Sequence, residues 1–89
     1  MKITILGCGT STGVPALGCD CAVCLSVDPK NQRRRVSIMV EHGGTRLLVD
    51  TSPDLRGQLL DARVTHLDGV LYTHAHADHL HGIDDIRGF

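Results

Sequence analysis

The stretch Thr73-His74-Ala75-His76-Ala77-Asp78-His79 decides how this chain is read. It holds three imidazoles and one carboxylate, with alanine as the only spacer. Imidazole nitrogens and carboxylate oxygens are donors that zinc, iron and manganese accept. His74 and His76 are two residues apart, so an extended backbone points both the same way. Asp78 and His79 follow where the chain is expected to turn, so they approach from another side. The spacing predicts two neighbouring metals, one held by His74 and His76, the other by Asp78 and His79. A polar loop rich in histidine by chance would explain one such residue. It does not explain four of them directly after the apolar run Gly69-Val70-Leu71-Tyr72.

Working outward, Gly69 to Tyr72 reads as a buried strand that feeds the motif, and Leu80 to Ile86 as a helix interrupted by Gly82. Upstream, Val64 to Leu67 is a connector. Pro53 is suited to open a helix that continues through Asp54-Leu55-Arg56-Gly57-Gln58-Leu59-Leu60, with Leu55, Leu59 and Leu60 on one face. Thr45 to Val49 and Val36 to Glu41 read as strands joined by the turn His42-Gly43-Gly44. Lys2 to Leu6 is a further strand. Gly7 to Gly13 is a small-residue loop with no Lys-Ser/Thr pair behind it, so it is no P-loop. Its glycines are expected at tight turns, and its amides are candidates for an anion contact. Pro15 to Arg35 is a long loop, and loops beyond ~12–15 residues are usually functional or disordered.

That loop carries Cys19, Cys21 and Cys24. Three thiols this close suit a tetrahedral zinc, whose structural sites take four Cys or His ligands. A redox pair of Cys21 with Cys24 is the rival, but it lacks the strand-then-helix setting of such motifs. Arg33-Arg34-Arg35 is a solvated run, a phosphate contact or a brace for the cysteine loop. His42 and His66 read as solvated.

The run THAHADH resembles the HxHxDH signature of the metallo-β-lactamase fold hydrolases. That resemblance implies an α/β fold, the αββα four-layer sandwich. It assigns His74 and His76 to one metal, and Asp78 and His79 to the other. Asp78 is also the implied proton acceptor. GTSTGVP, GCDCAVC, the arginine run and DTSPDLRGQLL together resemble the PhnP-like branch, the phosphoribosyl cyclic phosphate phosphodiesterases. This implies a structural zinc on Cys19, Cys21 and Cys24 with a distant histidine. It also implies that Asp50 lies under the metal site and orients ligand histidines, although an aspartate at a strand end also caps turns. Cys8 is expected to be a packed thiol.

With 89 residues and 42 % hydrophobic content, the chain is read as one domain. By resemblance it is the N-terminal part, residues 1–89, of a single hydrolase domain, and is expected to be inactive alone. Net charge is −1 and aromatics are Tyr72 and Phe89. Those values give little footing for nucleic acid, and no apolar run approaches the ~20 residues of a membrane span. The expected location is the cytoplasm, where thiols stay reduced. The expected function is metal-assisted hydrolysis of a small, cyclic phosphodiester with two Zn²⁺ or Mn²⁺ ions, by a protein compatible with a homodimer. The rivals are a tRNA 3′-processing nuclease and a non-catalytic zinc-binding module.

Overall fold

Alternating β-branched and aliphatic residues build a single sheet. The computed structural model describes residues 1–89. Strands β1 (Lys2–Gly7), β2 (Ser37–His42), β3 (Thr45–Val49) and β4 (Gly69–Leu71) lie side by side in that order. The pairs β1–β2 and β2–β3 are antiparallel, and β3–β4 is parallel. His42 pairs with Thr45, so the turn shortens to Gly43-Gly44, both at positive φ. Such two-residue turns match the twist of the strands they join.

A parallel return from β3 to β4 needs a crossover. Helix α1 (Leu55–Asp61) supplies it. Pro53 lies in the turn before the helix rather than in it, and Asp54 is the N-cap. The buried residues of α1 are Leu55, Gln58 and Leu59, while the predicted core residue Leu60 is 60 % exposed. At about 100° per residue, Leu60 is rotated away from the Leu55–Leu59 stripe. Leu48, Leu55 and Leu59 form the core, with Leu6, Val64, Leu67, Val70 and Ile86 packed against it. Each fully buried leucine contributes about 1.5–3 kcal/mol of transfer free energy.

The other face of the sheet is apolar and uncovered. Strand register puts Ile3 and Ile5 beside Val40 and Ile38, and these beside Leu47, Val49 and Leu71. Ile3, Ile5 and Leu71 are 60 %, 68 % and 56 % exposed. The predicted buried strand Gly69–Tyr72 is therefore a three-residue edge strand, half open to water. Its Leu71 points to the face that nothing covers.

The arginine run braces the long loop. Arg33 and Val14 exchange backbone hydrogen bonds of 2.7 and 2.8 Å, and the Gly9 amide donates to the Arg34 carbonyl at 2.7 Å. Gly7 and Gly9 serve close approach rather than turn geometry. A Cβ on either would sit 2.1 or 2.7 Å from a carbonyl oxygen of Arg35 or Arg33. Within the small-residue loop the Gly9 and Gly13 amides are engaged internally, with the Arg34 and Thr10 carbonyls. Cys8, just past the end of the edge strand β1, is exposed rather than packed; Arg33 donates to its sulfur at 3.5 Å. The predicted helix Leu80–Ile86 is replaced by a short helix α2 (Ala77–Leu80) and a 3₁₀ turn over Ile83–Gly88. No helix is long and apolar enough to cross a membrane.

Candidate metal centre

Asp50 directly follows β3 in a left-handed conformation (φ 64°) and is 1 % exposed. Aspartate is among the few non-glycine residues that visit this region. Its carboxylate accepts three hydrogen bonds. The Thr73 amide donates at 2.8 Å, the Thr73 hydroxyl at 2.7 Å and His79 Nδ1 at 2.7 Å. Burial alone would raise its pKa, but the bonds from His79 and Thr73 outweigh it and hold the carboxyl below its ordinary range.

An ionised carboxylate only accepts. His79 therefore carries a proton on Nδ1, which makes Nε2 the nitrogen of the neutral ring that can bind a metal. That Nε2 lies 3.3 Å from Asp78 Oδ2. Two acceptors at this distance repel unless a proton or a metal ion lies between them. Two donors bound about 2.1 Å from a tetrahedral ion sit about 3.4 Å apart, so the pair fits a metal.

Backbone bonds lock α2 over β3. The Thr51 amide donates to the His79 carbonyl at 2.9 Å, and the Gly82 amide to the Thr51 carbonyl at 3.0 Å. The Thr51 hydroxyl donates to the Leu80 carbonyl at 2.9 Å, so it accepts from the Tyr72 hydroxyl, also at 2.9 Å. Gly82 lies so close that a Cβ there would fall 1.8 Å from the Ser52 carbonyl oxygen. This contact lies at the Gly82 break that the sequence predicts, although α2 covers Ala77–Leu80 rather than running on to Ile86.

The structure brings together the motif residues singled out from sequence. The His74 ring centroid is 4.5 Å from that of His76 and 4.1 Å from that of His79. His74 thus stands between its predicted partner His76 and His79 of the other pair. Asp78 and His79 are half-buried on α2, while His74 and His76 are exposed. His42 and His66 are exposed and remote, as expected. Thr73 went unnoticed in the sequence reading. Its only cue is a hydroxyl beside the first histidine, and its partner Asp50 is remote in sequence.

The sulfur atoms of Cys19, Cys21 and Cys24 all lie within 4.8 Å of one another, the one such trio of donors in the chain. The Cys24 amide donates to Cys21 Sγ at 3.4 Å, and the Ala16 amide to Cys24 Sγ at 3.5 Å. The Cys24 amide, helped by Cys19, pulls the Cys21 thiol down to about 7. A thiol of that kind is available as thiolate, the form that binds zinc.

Residues 45–89 match the family described as a beta-lactamase superfamily domain. The chain belongs to that superfamily. Its fold is the metallo-β-lactamase fold, of which these 89 residues show one sheet and the helices on one face. Among solved structures of the superfamily, a diphosphatase of the PhnP family matches with a TM-score of 0.93 and 53 % identity, over 96 % of this chain and 34 % of that one. Zn²⁺-bound PqqB from Methylobacterium extorquens matches with a TM-score of 0.84 and 29 % identity, over 96 % and 33 %. In sequence, the chain is 50 % identical over 88 residues to an octanoyltransferase of Porphyromonas gingivalis, covering 98 % of this chain and 18 % of that one. It is 40 % identical over 57 residues to a ribonuclease Z of a Bradyrhizobium species, covering 62 % and 19 %. The chain therefore spans between 18 % and 34 % of the length of these relatives.

Proposed function

We propose that the protein is a metal-dependent hydrolase that opens a small phosphodiester, a cyclic one by preference. The observation that carries this reading is the facing pair His79 Nε2 and Asp78 Oδ2, 3.3 Å apart, with the tautomer of His79 set by Asp50. His74 and His76 would hold one divalent ion, Zn²⁺ or Mn²⁺, and Asp78 and His79 the other. When bound, such ions lower the pKa of water, orient the ester and take up charge on its oxygens. The residues of the chain do the rest. Asp50 keeps His79 from turning, and α2 keeps Asp78 beside it. The carboxylate of Asp78 takes the proton that the attacking water gives up. Cys19, Cys21 and Cys24 would hold a separate structural zinc that fixes the loop packed along the arginine run.

The phosphodiester class rests on likeness to the PhnP-family diphosphatase and on the pairing of HxHxDH with the cysteine loop. Scarcity of aromatic side chains argues for a small substrate, since single-stranded nucleic acid is commonly gripped by base stacking. The test is hydrolysis of bis-p-nitrophenyl phosphate and of a ribosyl cyclic phosphate by the full-length protein with Mn²⁺ or Zn²⁺. The Asp78→Ala variant should lose about 10²–10⁴-fold in kcat/KM. His66→Ala should match the parent, because that ring is exposed and meets only the Gly44 carbonyl and Asp68. Near-normal activity of Asp78→Ala would sink the metal-site reading. The ribonuclease Z relative supplies the second reading: efficient cleavage of precursor tRNA with no turnover of small diesters would replace the substrate and leave the site standing.

A further inference from the structure

Asp50 touches His79 directly but does not touch His74. Between Asp50 and His74 stands Thr73. Its hydroxyl lies 2.7 Å from Asp50 Oδ2 and 2.9 Å from His74 Nδ1. A hydroxyl has one proton to give. Asp50 is a buried carboxylate that can only accept, so the Thr73 proton goes to Asp50. The remaining bond then runs the other way, with His74 Nδ1–H donating to Thr73 Oγ1. A neutral His74 is then left with its lone pair on Nε2. The Thr73 amide bond to Asp50 Oδ1, 2.8 Å long, holds the backbone of the relay in place.

We propose that Thr73 is a positioning residue that carries the orienting effect of Asp50 to His74. One buried carboxylate then sets two imidazoles, His79 directly and His74 through a hydroxyl, both with Nε2 left as the metal-binding nitrogen. The inference rests on the metal-site reading for its purpose, but not for its geometry. Groups that orient a ligand histidine from behind typically change metal affinity 10–100-fold when removed. Exposed His74 has no other hydrogen-bond partner here to fix its ring. An unfixed imidazole would divide between two tautomers and several rotamers.

The experiment reads imidazole ¹⁵N shifts in the full-length, metal-free protein, in mildly alkaline buffer, by long-range ¹H–¹⁵N correlation. His74 should show a protonated Nδ1 and a bare Nε2. In Thr73→Val, which keeps the shape and loses the hydroxyl, His74 should become a mixture of tautomers while His79 keeps its pattern. Mn²⁺ titration of the same proteins should show about 10–100-fold weaker binding in Thr73→Val and recovery in Thr73→Ser. A parent protein whose His74 carries its proton on Nε2 overturns the proposal, and this result needs no variant to fold. So does an unchanged His74 pattern in Thr73→Val. If the parent shows the expected tautomer yet takes up no Mn²⁺, the relay stands and the metal-site reading fails.

Discussion

Asp50 and Asp54 both precede α1 and serve different ends. Asp50 faces the histidines; Asp54 faces Arg35. The Arg35 amide, Nε and Nη2 donate to Asp54 at 2.9, 2.8 and 2.9 Å. The Arg35 guanidinium is the main reason that the Asp54 carboxyl lies below its ordinary value. A carboxyl whose pKa is lower folded than unfolded stabilises the fold above its unfolded value, about 3.9. That stability is lost as the pH falls through the lower, folded value. Asp54→Asn should therefore lower stability at neutral pH and flatten the acid limb of the profile. Urea midpoints of the full-length protein and this variant, taken between about pH 3 and 7, check it; parallel profiles would refute it. The sequence left Arg35 open between solvent, phosphate and brace. Only the fold could decide, because its partner lies nineteen positions on.

Among the elements, the strands were the most legible. Alternation marked β1, β2 and β3 to within a residue or two, because a half-buried strand must alternate. The place of α2 was not legible: the sequence starts a helix at Leu80 and interrupts it at Gly82, whereas α2 spans Ala77–Leu80, held by contacts of Thr51 and Ser52 that come from far away in sequence. The cysteine loop lies between these cases. Its three thiols were plain from spacing, and the fold gathers their sulfurs within 4.8 Å. If they hold a structural zinc, Cys21→Ser should remove one equivalent of zinc per full-length chain, read by metal analysis after dialysis. Unchanged zinc content would dismiss the structural site. The loop should also become easier to cleave by protease in that variant, since a metal clip closing a loop restrains it.

At the scale of the molecule, the sheet has one face covered by α1 and one face bare. Ile3, Ile5, Ile38, Val40, Leu47, Val49 and Leu71 share the bare face. The sandwich of the superfamily sets a second sheet against the first. Exposed apolar patches and unpaired strand edges drive association. The 89-residue chain by itself should accordingly self-associate, and Ile5→Glu should reduce its apparent size in gel filtration and light scattering. A monodisperse, cooperatively melting monomer would contradict this. The sequence by itself determined the superfamily, the strands and the donor types, since ligand spacing and alternation are local properties of the chain. Tertiary structure alone decided that Thr73 stands between Asp50 and His74 and that Arg35 pairs with Asp54. Each of these depends on atoms brought within hydrogen-bond or van der Waals distance from segments far apart in sequence, and no local pattern encodes such a meeting.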